Sequence, residues 1–169
     1  FMFSEPLGLE MIYGVLKEDH QVKILDMMIQ DDLSSELKEF RPDIVGITSL
    51  CIDVHKVLSI AERCKELDRK IVTMVGGTQT LLSPESYFHK SVDHIFKFTS
   101  RDNLLGLVEQ IEKGRLQELD GVLSRDLSYH DTGAKGRNQY LLPDRESTRE
   151  YRGHYSYFGY RPAAIMELG

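Results

Sequence analysis

No apolar run in this sequence approaches the roughly 20 residues that a helix needs to cross a bilayer, so a helical membrane span is excluded. Basic charge is in deficit. Lys and Arg total 21 against 27 Asp and Glu, a net charge of -6, and no basic stripe with interleaved aromatics occurs. That balance disfavours a nucleic-acid partner. Cysteine is scarce: Cys51 and Cys64 fit no metal-site spacing and read as small buried residues in a reducing compartment, with the cytoplasm as the default location. There is no internal repeat, low-complexity tract or signal-peptide pattern. The chain opens Phe1-Met2-Phe3 without an initiator methionine and closes on an apolar run from Ala163 to Gly169, which reads as an excised piece of a longer protein.

At 169 residues the chain suits one domain with an extension. Its periodicity alternates strand and helix. Phe1 to Phe3 read as the tail of a first strand, Ser4 to Gly8 as a loop, and Leu9, Ile12, Val15 and Leu16 as one face of a helix running to about Glu18. Gln21–Asp26 reads as a second strand. Leu33 to Phe40 reads as a second helix, stopped near Pro42 because proline disfavours helical geometry in the residue before it.

Asp43 to Leu50 is a third strand, apolar on both faces, followed by an amphipathic helix carrying Val54, Val57, Leu58, Ala61, Cys64 and Leu67. Lys70 to Thr78 is a fourth strand that runs into Gly76-Gly77, the pattern of a buried parallel strand ending where something nears the backbone. The alternative is a tight strand-to-helix turn. Ser83-Pro84 reads as a cap with proline at the first helical position. Asp93 to Phe98 is a fifth strand, Leu104 to Ile111 mark a fifth helix ending at Gly114, and Gly121 to Ser124 add a small edge strand.

Strands and helices in this alternation predict a doubly wound α/β fold, Rossmann-like with flavodoxin-like order: an open parallel sheet of about five strands with helices on both faces. From Arg125 the texture changes to a segment rich in tyrosine, Tyr151, Tyr155, Tyr157 and Tyr160, which reads as an ordered strap packed on something.

Ligands of such sheets bind beyond the carboxyl ends of the strands. The candidates are Ser4 to Gly8, Thr48 to Asp53, Gly76 to Thr78 and Phe98 to Arg101. A dinucleotide fingerprint is absent, because only Gly8 follows the first strand, and no P-loop lysine occurs there. In a phosphate-accepting receiver, Asp53, Thr78 and Lys97 would fill three roles, but the acidic pair that holds the metal is missing, since Asp31 and Asp32 follow the second strand. His20, His89, His94, His130 and His154 read as solvated, and His55 alone sits on the ligand side, where it too reads as no ligand.

Glu5-Pro6-Leu7-Gly8-Leu9-Glu10, Asp43 to Leu50, Val75-Gly76-Gly77-Thr78 and the closing run Ala163 to Gly169 stand in an order and spacing that resemble a known family. The sequence is similar to the amino-terminal cobalamin-binding domain of cobalamin-dependent radical SAM enzymes. The resemblance implies cobalamin as cofactor, its nucleotide tail in a slot beside the central strands. The implied contacts are Glu5, Pro6, Leu7, Gly8, Thr48, Ser49, Leu50, Val75, Gly76, Gly77 and Thr78, with no catalytic and no metal-ligating side chain from this chain. The first-strand loop lacks the histidine that ligates cobalt in cobalamin mutases, as radical SAM relatives commonly do, and the resemblance implies base-off binding without a histidine ligand. Thr99-Ser100-Arg101-Asp102 stands where many relatives carry Gly-Glu-Gly-Glu, a departure at one of the loops on the ligand side.

The implied organisation is a cobalamin-binding domain over 1–125, an ordered strap over 126–162 and the first strand of a radical SAM barrel over 163–169. In the rest of such a protein the resemblance implies a 4Fe-4S cluster, S-adenosylmethionine, and methyl transfer or tetrapyrrole ring closure; the chain alone is expected to catalyse nothing. The competing class is a docking or regulatory module of the same fold that has lost cobalamin.

Overall fold

The computed structural model describes residues 4–48, 54–134, 136, 141–158 and 160–163. Ser49, Leu50, Cys51 and Asp53, the first-strand residues Phe1 to Phe3 and the closing run from Ala164 fall outside that set. The described residues form two compact units, one drawn from 1–36 and 141–169, the other from 37–140.

The larger unit is built on a sheet of four strands in the order β1 (Ile44–Thr48), β2 (Val72–Gly76), β3 (His94–Phe96) and β4 (Val122–Ser124). β1, β2 and β3 are parallel, and β4 returns antiparallel along β3. Helix α3 (Val54–Leu67) spans the range its apolar spacing predicts and makes the crossover between β1 and β2. Side chains alternate across a strand. Ile47, Val75, Ile95 and Leu123 therefore share one face, where they pack with Val57 and Ala61 of α3 and with Tyr87 and Val92 in the core. Gly46, Thr48, Met74, Gly76, His94 and Phe96 fall on the other face.

An ion cluster ties this unit together around the buried Asp93. Its Oδ2 accepts from the Lys65 ammonium and, at 2.8 Å, from the Thr73 amide, while Oδ1 meets Arg125 at 2.8 Å. Burial pushes the Asp93 carboxyl up, but the lysine and the Thr73 donors outweigh it and hold the group below the usual carboxylate range.

Beyond the sheet, α4 (Thr78–Leu82) follows β2 and α5 (Arg101–Glu112) follows β3. The smaller unit contains α1 (Leu7–Leu16) and a 3-10 segment over Arg145–His154, and the boundary between the units falls within α2 (Leu33–Phe40). α2 matches its predicted range, while α1 starts and ends two residues before its expected limits.

Three expectations are corrected. Gln21–Asp26 carries no strand: among the described residues it pairs with no other strand, and a strand exists only in a ladder. Ser83 makes no capping hydrogen bond, and Pro84–Tyr87 is a 3-10 turn. His94 is not solvated: it lies on β3 with 3% of its surface exposed, its Nδ1 2.8 Å from the Ser124 hydroxyl on β4.

The tyrosine-rich part of the strap, from Leu141 on, belongs to the smaller unit and packs there. Tyr151 and Tyr155 are buried, and their hydroxyls donate to Gln30 Oε1 at 3.2 Å and to Asp26 Oδ2 at 3.1 Å. Tyr157 and Tyr160 remain exposed. Among the described residues no helix is long and apolar enough to cross a membrane.

Candidate functional site

The carboxyl ends of β1 and β2 bring two of the expected residues side by side. Thr48 is the parallel partner of Gly76, and Gly46 lies opposite Met74 one step back on the same face. Burial is lopsided here: Ile47 is in the core, whereas Gly46 and Thr48 on the opposite face of β1 are exposed. Bare backbone and one hydroxyl therefore face outward. A Cβ at Gly46 would approach only the end of Met74 at 4.0 Å, and one at Gly76 only Phe96 Cβ at 3.7 Å, so neither glycine is required by packing within the fold. Val75, expected among the contacts, turns its side chain the other way into the core.

Gly77 breaks the strand and opens α4. Its backbone, at φ 121° and ψ -178°, is in a region that glycine adopts and side-chain-bearing residues avoid. The turn reading of the glycine pair is thus correct for Gly77, while Gly76 still belongs to the strand. Thr80 locks the turn from inside, its hydroxyl 2.5 Å from the Phe96 carbonyl and 2.7 Å from that of Gly77. Thr78 is exposed, as are Leu81 and Leu82, which leaves an apolar patch on α4 just past the strand end.

The strand end at β3 is occupied by protein. The Phe98 ring lies against Gly121, at φ 76°, and Gly136, where added Cβ atoms would fall 2.4 Å and 2.9 Å from it. Ser100 and Asn103 then form a reciprocal cap: Asn103 N–H donates to Ser100 Oγ at 3.1 Å, and Ser100 N–H to Asn103 Oδ1 at 2.8 Å. The residues that depart from the family's glycine-and-glutamate turn are therefore spent on starting α5. Lys97 is paired with Asp131 at 2.5 Å.

In the smaller unit, Pro6 precedes α1 and Leu7 and Gly8 form its first turn. Gly8 is exposed, and a Cβ there would meet nothing within 4 Å. Glu5 is buried and bound to Arg145 at 2.5 Å, so its carboxylate fixes the turn to the strap. Glu5 and Arg145 also wall a groove completed by Glu146, Arg152, Pro162 and Ala163. His55 is exposed at the start of α3. Among the described residues no group of three or more His, Cys, Asp and Glu side chains is placed to hold a metal ion.

The B12 binding domain model matches residues 3–107, more than half of the chain. The chain belongs to the B12-binding domain family. The matched span contains the Glu5–Gly8 turn, β1, β2 and α4, where the expected contacts that are described lie. A protein of Pyrococcus horikoshii named as an uncharacterized methyltransferase is 31% identical over 140 residues, 79% of this chain. The match covers 29% of that relative's length.

The residues of this B12-binding domain fit the group that its family binds. A flat tail needs bare backbone to lie against and hydroxyls to satisfy its polar atoms. Gly46 and Gly76 carry no side chain, and Thr48 and Thr78 carry exposed hydroxyls. Sequence reasoning missed Gly46 and the Leu81–Leu82 patch. Gly46 was legible from strand period, being two residues before Thr48; the exposure of Leu81 and Leu82, 55% and 67%, depends on the tertiary structure.

Proposed function

We propose that this chain is the cobalamin-binding part of a cobalamin-dependent radical SAM enzyme, and that it holds cobalamin base-off without a histidine ligand to cobalt. One observation carries the cofactor reading: within a matched B12-binding domain, Gly46 and Thr48 are exposed at the carboxyl end of β1, beside the half-buried Gly76 of β2. In this reading Gly46 and Gly76 admit the nucleotide tail, Thr48 and Thr78 bind its polar atoms, and Pro6, Leu7 and Gly8 contact the cofactor while Glu5 positions their turn. Ser49 and Leu50 continue the line of Thr48 in sequence. The strap over 126–162 and a barrel strand over 163–169 complete the proposed organisation.

When bound, cobalamin supplies a cobalt centre that carries a methyl group between donor and acceptor. The radical SAM part rests on the sequence resemblance, and methyl transfer is favoured over tetrapyrrole ring closure by the name of the Pyrococcus relative. A 4Fe-4S cluster and S-adenosylmethionine belong to the remainder of such a protein.

The test is titration with hydroxocobalamin followed by visible spectroscopy, with wild type compared to Gly76→Leu. Wild type is expected to bind with a spectral change. The leucine, placed on the bare face, is expected to weaken binding at least about tenfold, the equivalent of about 1.4 kcal/mol. Gly77 is the wrong position for this test, because any side chain there strains the backbone by about 1–3 kcal/mol regardless of a ligand. Electron paramagnetic resonance of the reduced complex tests the base-off assignment, since nitrogen splitting from a lower ligand would overturn it. A flat titration on the whole protein would return the chain to a docking or regulatory module of the same fold.

A further inference from the structure

Glu10 is the most deeply buried acid described, with 0% of its surface exposed, although it sits on α1 between Leu9 and Met11 in a helix of ordinary amphipathic pattern. Its two oxygens are treated differently. Oε1 accepts from the Thr148 hydroxyl of the strap at 2.5 Å, and Oε2 has no hydrogen-bond partner. An ionised carboxylate so placed would leave a buried charge with half of its acceptor capacity unmet, whereas the neutral acid needs far less.

The groups around it do not reverse that balance. Glu5 on the preceding turn adds like charge, and Arg145, Arg152 and Tyr155 face it from the strap. Arg145 is paired with Glu5, and Arg152 reaches Glu146 at 3.1 Å. Burial, first, and Glu5 push the Glu10 carboxyl up, while the Thr148 hydroxyl and the two arginines oppose them without cancelling them. The attachment is local as well as long-range, because the Asp144 amide donates to the Glu10 carbonyl at 3.1 Å.

We propose that the Glu10 carboxyl is a protonation-sensitive latch: neutral, it seals α1 against the strap at Thr148, and loss of its proton to solvent releases the 144–155 segment and with it the grip of Arg145 on Glu5. The device lies wholly within the smaller unit and does not rest on the cofactor reading. Its sign follows from linkage. Where the folded pKa is raised, the stabilisation is complete below the unfolded pKa and is lost as pH rises through the folded one.

Hydrogen exchange of the 144–155 amides in the full chain, corrected for the intrinsic effect of pH, tests this from mildly acidic to mildly alkaline solution. Wild type is expected to lose protection about tenfold per pH unit above the ordinary carboxylate range, levelling off once Glu10 is ionised in the folded state. Glu10→Gln, a permanently neutral stand-in, is expected to keep protection flat. A flat wild type, or the wild-type slope persisting in the glutamine variant, overturns the proposal. If the variant does not fold, the carbon-13 shift of the Glu10 carboxyl in wild type decides instead: titration at or below the ordinary carboxylate range overturns the latch, and titration above it supports the latch.

Discussion

His94 shows how one side chain sets the acid tolerance of the sheet. Its ring is buried on β3 beside the Ser124 hydroxyl, and burial, the largest influence, lowers its pKa from 6.5 to about 4 against the opposing pull of Asp93 and Asp126. A histidine kept neutral in the fold charges more readily when unfolded. Stability is therefore complete above about pH 6.5 and falls as pH drops towards 4, by about 3 kcal/mol for this group alone. Denaturant unfolding across that range is expected to show the loss, and His94→Gln, which keeps a polar partner for Ser124, is expected to flatten it. An unchanged slope in the variant would mean that other groups carry the acid sensitivity. The solvated reading of His94 grouped it with the histidines of polar or irregular stretches. What overrides that reading is β4, which pairs His94 with Ser124 across thirty positions of sequence.

At the scale of the element, α5 is the clearest case of a helix whose start does two jobs. Ser100 and Asn103 satisfy each other's backbone N–H groups, and the Asn103 amide also donates to the Phe98 carbonyl at 3.0 Å and the Asp120 carbonyl at 3.1 Å. The asparagine thus joins the helix cap to the end of β3 and to the approach to β4. Ser100→Ala is expected to cost about 1 kcal/mol. Asn103→Ala should cost more, about 2–3 kcal/mol, because it also removes the donor to the Phe98 and Asp120 carbonyls. Equal losses in thermal or denaturant unfolding would contradict this division of labour. The apolar spacing of Leu104, Leu107 and Val108 made α5 legible, and that of Val57, Ala61 and Cys64 made α3 legible to the residue. The start of α5 was not, because a reciprocal Ser–Asn cap depends on side-chain geometry and the same residues fit a ligand-binding loop. The strap was legible as ordered but not as to what it packs on; Tyr151 and Tyr155 show it fastened to Gln30 and Asp26.

At the scale of the whole molecule, cobalamin binding should leave an uneven mark. Saturating cobalamin is expected to slow amide exchange at Gly46–Thr48 and Gly76–Leu82, and to leave the Asp93–Lys65–Arg125 cluster, already ion-paired, unchanged. Uniform slowing throughout the chain would point to global stabilisation without a site at that face. The sequence by itself determined the alternation of strand and helix, the buried parallel strand ending in Gly76-Gly77, and the family, because period, glycine placement and motif order are local properties that a chain carries in any conformation. Only the tertiary structure decided which face of β1 is bare, that Val75 turns inward while Thr48 meets Gly76, that His94 is buried, and that Glu10 lacks a partner for one oxygen. Each of those depends on register and on contacts between residues far apart in sequence, where a shift of one position along a strand exchanges its two faces.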